Sequence, residues 1–281
     1  MSYEIILETE LYTLVRGRHG LFLANPHDRF IGRALIEYGE FSERQWQVFK
    51  RFTHTNDVVI DVGANIGGHT VSFAKQVGIG GAVWAYEPQP AVFQNLCANI
   101  SLNALMNVKT FNAGCGAQDD EINIPHINYS RDYNYGSISL EKMEEENKRL
   151  GDAAAWQNIP VLKLDDHFNG DRLDFIKIDV EGMEIDVLQG AKNIITTFKP
   201  VLYVENDRED KSEELVSFIL DCGYDAWWDR PMLFNPDNYA NRLDNVLGNF
   251  RTTNMLCIHP DSDKSHNLDP QRKIKTQQDR P

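Results

Sequence analysis

Two groups of residues in the 281-residue chain have the types and spacing that chemistry requires. The first is Asp61-Val62-Gly63-Ala64-Asn65-Ile66-Gly67-Gly68, a glycine-rich turn between the run Asp57 to Val62 and a stretch with helical spacing. Open α/β sheets bind nucleotides at such a turn. The second is Asp179 and Glu181, at the exit of the apolar run Leu173 to Ile178. Residues two apart on an extended chain point to the same side, so both carboxylates are expected to face one pocket, with Gly182 permitting a sharp turn into the next helix. Neighbouring carboxylates push one pKa upward, which suits a base that takes a proton from a hydroxyl. Glu205, ending the run Val201 to Val204 and followed by Asn206 and Asp207, is a third candidate for that work. The plain alternative for Glu181 is a favourable place at a helix N-terminus. The same acids are also suited to a divalent metal with oxygen ligands, and spacing alone leaves that open.

The glycine turn narrows its own ligand. Dinucleotide turns run G-x-G-x-x-G, and their second glycine admits the pyrophosphate; here the three offsets hold Gly63, Asn65 and Gly68. The G-K-[ST] ending of a phosphate-cradling P-loop is missing as well. Asp61 sets a carboxylate at the strand end, which opposes a diphosphate and favours the ammonium of an amino acid. Glu87, closing the next run Ala82 to Glu87, is placed to accept from both hydroxyls of a ribose. Adenosine joined to a methionine-like ammonium describes S-adenosylmethionine. The expected cofactor residues are therefore Asp61, Gly63, Asn65, Gly67 and Glu87, with Asn112, just after the third strand, for the adenine. His69 reads as a cofactor contact or a helix cap, and Lys177, inside an apolar strand, as a lysine reaching for an edge. Trp227, Trp228, Phe234 and Tyr239 read either as a stacking wall for a sugar ring or as core.

These residues need a frame, and the hydrophobic pattern supplies one. Strand-like runs at 57–62, 82–87, 108–112, 173–180, 201–204, 224–228 and 251–258 alternate with helical patterns that include Val71, Ala74 and Val77; Val92, Phe93, Leu96 and Ile100; and Val187 to Phe198. That rhythm predicts a doubly wound α/β sheet over residues 57–259, with 1–56 as an N-terminal extension packed on it and a helix near Ser42 to Phe52. Residues 126–158 break the rhythm and form an expected insertion, its charge run Glu141 to Arg149 being either a solvated helix or a lid over the substrate. From Pro260 to the end apolar residues are scarce, so 260–281 is expected to be a flexible polar tail.

Composition bounds the partners. With 42% hydrophobic and 25% charged residues the chain is globular, and a net charge of −14 repels a polyanion such as nucleic acid. No run is long enough to span a membrane and no signal region opens the chain, so a cytoplasmic location is expected. Cys97, Cys115, Cys222 and Cys257 are scattered without a C-x-x-C and read as core thiols.

The sequence resembles the FkbM family of S-adenosylmethionine-dependent methyltransferases. The residues that carry the likeness are Val59 to Gly67, Ala85-Tyr86-Glu87-Pro88, and above all Phe175-Ile176-Lys177-Ile178-Asp179-Val180-Glu181-Gly182, continuing through Glu184, Val187, Leu188, Gly190 and Ala191 to Pro200 and Glu205. The resemblance covers about residues 57 to 206. It implies the class I methyltransferase (Rossmann-like) fold, a mainly parallel seven-stranded sheet with one antiparallel strand near an edge. It also implies transfer to oxygen on a sugar, glycan or secondary-metabolite hydroxyl. The competing readings are an N-methyltransferase, whose acceptor needs a less committed base, and a non-catalytic module that keeps the cofactor fold; Asn65 and Asp61 disfavour a nicotinamide enzyme. The insertion and the region after 206 match nothing assignable, so acceptor identity stays open.

Overall fold

A computed structural model describes residues 2–139, 145, 148, 155–262, 264 and 268–281. At its centre lies a seven-stranded sheet. In chain order its strands are β4 (Val58–Val62), β5 (Ala82–Tyr86), β6 (Val108–Phe111), β10 (Phe175–Ile178), β11 (Val201–Glu205), β12 (Asp225–Asp229) and β13 (Asn254–Ile258). Their spatial order is β12-β13-β11-β10-β4-β5-β6. All neighbours run parallel except β13, which is antiparallel to both β11 and β12. The order reverses between β4 and β10, and β4 carries the glycine turn. Ligands bind outside the carboxyl ends of strands at such a switch point.

The apolar residues sort by face. Ile60, Val62, Trp84, Tyr86, Ile176, Ile178, Leu202 and Val204 share a core with α5 (Glu184–Gly190), α6 (Lys192–Phe198) and α7 (Glu209–Asp221). Val59, Val83, Phe175, Val201 and Tyr203 face the other way, against α2 (Glu43–Phe52) and α3 (Thr70–Val77). Strands buried on both faces are near-continuously apolar, and this is why β10 and β11 stand out in the sequence. The single helical pattern from Val187 to Phe198 is two helices, broken at Gly190 and Ala191. A Cβ on Gly190 would lie 1.9 Å from the Gly116 carbonyl oxygen, so the helix passes the neighbouring chain too closely for any side chain.

The N-terminal extension builds its own antiparallel sheet of β1 (Glu4–Glu8), β2 (Thr13–Arg16) and β3 (Leu21–Ala24), followed by α1 (Ile31–Tyr38) and α2. Helix α4 (Pro90–Leu102) closes the outer edge of β3 with two asparagines one turn apart. Asn99 accepts from the Leu23 N–H at 2.6 Å and Asn103 from the Leu21 N–H at 3.0 Å, and each amide group donates back to the same residue's carbonyl. A third sheet, β7 (Gly114–Cys115), β9 (Trp156–Leu162) and β8 (Asp120–Pro125), flanks the expected insertion. The first residues of its expected end, Trp156 to Asn158, belong to β9 and pair with Asn123 to Pro125. Of the charge run Glu141 to Arg149, only Glu145 and Lys148 fall within the described residues.

The polar tail is folded back wherever it is described. Ile274 is buried and its N–H donates to the Ala226 carbonyl at 2.8 Å, Lys273 pairs with Asp225, and Arg280 donates to Ser212. Ile274 on the edge of β12 and Leu268 against the core that holds Trp227 anchor a segment too polar to fold alone. Among the described residues no helix is long and apolar enough to cross a membrane.

Candidate active site

A cavity of about 510 Å³ opens at the carboxyl ends of β4, β5, β10 and β11, within the size range of small-molecule sites. Its floor at one end is the glycine turn. Gly63 and Ala64 both donate to the Tyr86 carbonyl, at 3.1 and 2.9 Å, which ties the turn to β5. Gly63 has φ 74°, and a Cβ there would lie 1.8 Å from the Asp179 carbonyl oxygen. The glycine is therefore required by the approach of the two chain segments that carry the site. Asn65, at φ 50°, lines the cavity. Gly67 does not: it turns toward Leu96, so its role is to pack the turn on α4.

Glu87 lies at the cavity, held from behind. Its carboxylate accepts from the Asn65 N–H at 3.0 Å through Oε2 and from the Gln89 N–H at 2.9 Å through Oε1. Each oxygen then retains an accepting position, and the side chain lines the cavity. Burial raises its pKa to about 7, although the two backbone donors and Lys177 pull the other way. Asn112 lies behind this residue, donating to the Glu87 and Pro88 carbonyls at 2.9 and 3.0 Å; it braces the turn and does not reach the cavity. The wall beyond β6 consists of its neighbours Ala113, Gly114 and Cys115.

Asp61 departs most from expectation. It is fully buried, absent from the cavity wall, and already partnered: Thr70 Oγ1 donates to Oδ2 at 2.7 Å and Lys177 Nζ to Oδ1 at 3.1 Å. The reason is register. Asp61 and Lys177 lie directly opposite one another on β4 and β10, pointing to the same face of the sheet. Lys177 also donates to the Gly63 carbonyl at 3.0 Å and lies 3.7 Å from Asp179 Oδ2. Burial lowers its pKa, but the Asp61 and Asp179 carboxylates outweigh that and raise it overall. Lys177 thus fastens the glycine turn to the acidic end of the site. A strand lysine opposite a strand aspartate was the available signal, and it becomes readable only when β4 and β10 are known to be neighbours.

At the other end of the cavity stand Asp179, Glu181 and Glu205, each with one oxygen within 4.8 Å of the others. Strand alternation does not bring the first two together, because β10 ends at Ile178. Glu181 adopts φ 56° and Gly182 φ 108°, and this left-handed turn folds the Glu181 carboxylate back beside Asp179. Arg208 donates to Glu181 Oε2 at 2.7 Å. Burial, with the charges of Asp179 and Asp207, lifts the Glu181 pKa to about 8. Glu205, 7% exposed, has its Oε2 without a hydrogen-bond partner among the described residues, and burial followed by the Asp179 and Glu181 charges raises its pKa strongly.

The apolar part of the remaining wall comes from far along the chain: Phe30, Ile31 and Phe41 from the N-terminal extension, Tyr133 and Ile138 from the segment between β8 and β9, and Leu233 and Phe250 from the loop between β12 and β13; Asn134, Ser137, Ser139, Arg208, Lys211 and Thr252 add polar groups between them. Trp227, Trp228, Phe234 and Tyr239 are not part of it. The two tryptophans sit in the sheet's cores and Phe234 packs on Tyr38. His69 lines the cavity and stays neutral, since burial and then the nearby Lys177 charge hold its pKa well below the usual value; its ring bonds Gln45 and does not cap α3.

The sequence profile of the FkbM methyltransferase domain matches residues 61–226, more than half of the chain and the whole span from the glycine turn into β12. The chain belongs to the FkbM methyltransferase family. S-adenosylmethionine is the cofactor of this family. Among curated proteins, this FkbM-family chain is similar to Methyltransferase 1 of Beauveria bassiana (strain ARSEF 2860), at 28% identity over 144 residues, 47% of this chain and 57% of the relative. It is also similar to Methyltransferase sdnD of Sordaria araneosa, at 25% identity over 209 residues, 66% of this chain and 80% of the relative. The alignment thus spans little more than half the length of the Beauveria protein. Among solved structures, the methyltransferase FkbM of Methylobacillus flagellatus KT aligns over 72% of this chain and 44% of its own, at 19% identity and a TM-score of 0.47.

The residues of the cavity fit the cofactor. The two remaining accepting positions on Glu87 match the two hydroxyls of a ribose, and the apolar patch at Ala113 to Cys115 lies beside them. Asp61, enclosed by Thr70 and Lys177, does not face the cavity where the ammonium of the cofactor is expected, while Asp179, its side chain 39% exposed, does.

Proposed function

We propose that this chain is an S-adenosylmethionine-dependent methyltransferase that acts on a hydroxyl oxygen of a small, partly apolar molecule such as a sugar, glycan or secondary metabolite. The observation that carries this reading is one cavity with a ribose-accepting carboxylate, Glu87, at one end and three acids, Asp179, Glu181 and Glu205, at the other. S-adenosylmethionine, when bound, supplies an electrophilic methyl group on a sulfonium. The chain's own residues position and deprotonate the acceptor. Glu87, held by two backbone N–H groups, fixes the ribose end. The aromatic wall of Phe30, Phe41 and Phe250 excludes water and takes the apolar part of the acceptor. Asp179 faces the cavity where the acceptor hydroxyl arrives and takes its proton as the new bond to oxygen forms. Orientation of this kind accounts for about 7 to 11 kcal/mol in favourable cases, and the base for about 10²- to 10⁴-fold. A nucleic-acid acceptor fits poorly with a net charge of −14 and an acidic end to the cavity.

The test is a transfer assay with methyl-labelled cofactor and parallel panels of hydroxylated and amine acceptors, run on the wild type and Asp179→Asn. Labelled O-methyl product is expected, with Asp179→Asn lowering turnover by about 10²-fold or more while S-adenosylhomocysteine still binds. Product labelled on nitrogen alone would remove the oxygen assignment. Unchanged turnover in the variant would remove Asp179 from the reaction.

A further inference from the structure

We propose that Asp179, Glu181 and Glu205 form a site for a divalent cation with hard, oxygen-preferring chemistry, Mg²⁺ or Mn²⁺, and that this cation holds an acceptor bearing two adjacent oxygens.

Three carboxylates at the exits of β10 and β11 converge with one oxygen each inside a 4.8 Å span. Three oxygens at that outer separation would stand about 2.8 Å from a common centre, so side-chain rotations that draw each in by about 0.7 Å bring all three to bonding distance of one ion. Convergence of acids alone is common on protein surfaces. Here a second observation points to a ligand: Glu205 is 93% buried by its 7% exposure, lines the cavity, and leaves Oε2 with no hydrogen-bond partner among the described residues. A buried carboxylate oxygen without a donor carries an energetic penalty that a proton, a water or a bound cation has to offset, and the convergence of two further carboxylates on this one favours the cation. The other two members are oriented from behind. Arg208 takes Oε2 of Glu181 and Lys177 lies 3.7 Å from Oδ2 of Asp179, so each acid is held by a cation on its outer side. An outer shell of this kind fixes the direction in which ligating carboxylates point.

The donor set selects the metal class. All three candidate ligands are carboxylates, and among the described residues neither cysteine nor histidine joins the group, which excludes a thiolate- or imidazole-preferring ion. Three protein ligands leave about three positions of an octahedral ion open toward the cavity. Those positions match an acceptor that presents two oxygens on adjacent carbons, a vicinal diol or a hydroxy-ketone. This part rests on the methyl-transfer reading above. The cation adds no reactant: the methyl group passes from sulfur to oxygen and the hydroxyl proton to a carboxylate as before, while the ion fixes the place of the oxygen and stabilises its developing negative charge.

The test uses the full chain after treatment with a chelator. Titration with Mn²⁺ is followed by calorimetry and by the loss of the free-ion electron-paramagnetic signal, on the wild type, Glu205→Gln and Glu87→Gln, and each protein is also titrated with S-adenosylhomocysteine. One Mn²⁺ site is expected in the wild type and in Glu87→Gln, displaced by Mg²⁺ and weakened at least about tenfold in Glu205→Gln. S-adenosylhomocysteine binding by Glu205→Gln is expected to match wild type, which shows that this variant is folded. Absence of Mn²⁺ binding at millimolar concentration, or equal binding by wild type and Glu205→Gln, overturns the site. Loss of S-adenosylhomocysteine binding in the wild type instead strikes the methyltransferase reading and leaves the cation result to stand on its own.

Discussion

Two buried glutamates stand at opposite ends of one cavity, and their surroundings differ. Glu87 receives a backbone N–H on each oxygen; Glu205 has an oxygen that no described group satisfies. The first is a finished socket, its accepting positions already aimed before any ligand arrives. The second is an incomplete one, in which burial and two neighbouring carboxylates work against the charge. Preorganisation at the Glu87 end and stored electrostatic cost at the Glu205 end are two ways of preparing for a ligand. The first spends structure to gain affinity, and the second leaves a deficit that only the right partner removes.

The strongest way to break the contrast is to cut the residue that joins the two ends. Lys177→Met leaves Asp61 buried opposite a thioether, and removal of one partner from a buried pair costs about 3–5 kcal/mol. A large fall in the denaturant midpoint is expected, readable by chemical unfolding, and a change within experimental error would show that the ion pair does not hold β4 to β10. Next in size, Glu87→Gln replaces a carboxylate that two N–H groups already satisfy, and is expected to destabilise the protein by about 1.5–3 kcal/mol, the worth of hydrogen bonds to a charged group.

Glu87 also gives the cofactor end a pH signature. Its pKa is raised to about 7 from the model-peptide range near 4.5. A carboxyl raised on folding stabilises the ligand-free protein below pH 4.5, and that contribution is lost as pH rises through about 7. Ribose hydroxyls donate to the ionised form, so affinity for S-adenosylhomocysteine is expected to rise about tenfold between pH 6 and 8 in the wild type and to stay flat in Glu87→Gln. A flat wild-type profile would separate Glu87 from the ribose. The smallest effect has the opposite sign. With metal removed and the pH high enough to ionise Glu205, Glu205→Gln eliminates an unsatisfied buried charge and is expected to raise stability by about 1 kcal/mol, a shift of a few degrees in Tm. A fall in Tm would mean that Glu205 is already compensated.

What the sequence revealed follows the same division. Strands, helices and the glycine turn were legible because burial on two faces writes long apolar runs, and the place of Glu87 at the cavity was legible because it directly follows the strand after the glycine turn. Asp61 and Asn112 were misplaced for a single reason. Sequence says which residue ends a strand, but not which neighbour occupies the adjacent strand, and Lys177 claimed Asp61 across the β4–β10 pair. The convergence of Asp179 with Glu181 was expected for the wrong cause, since a left-handed turn and not strand alternation produces it. The aromatic wall could not be read at all, because Phe30, Phe41 and Phe250 meet only through long-range packing.

That wall has a consequence for how the molecule can change. Phe30, Ile31 and Phe41 precede the span shared with the family, and Leu233 and Phe250 follow it. The carboxylates of the cavity lie together on the shared stretch, while the apolar wall comes mostly from its flanks, with Tyr133 and Ile138 contributed from within. On the proposed function, drift in those flanks retunes acceptor choice while the carboxylates stay in place, so a lineage of such proteins is free to diversify its substrates one loop at a time.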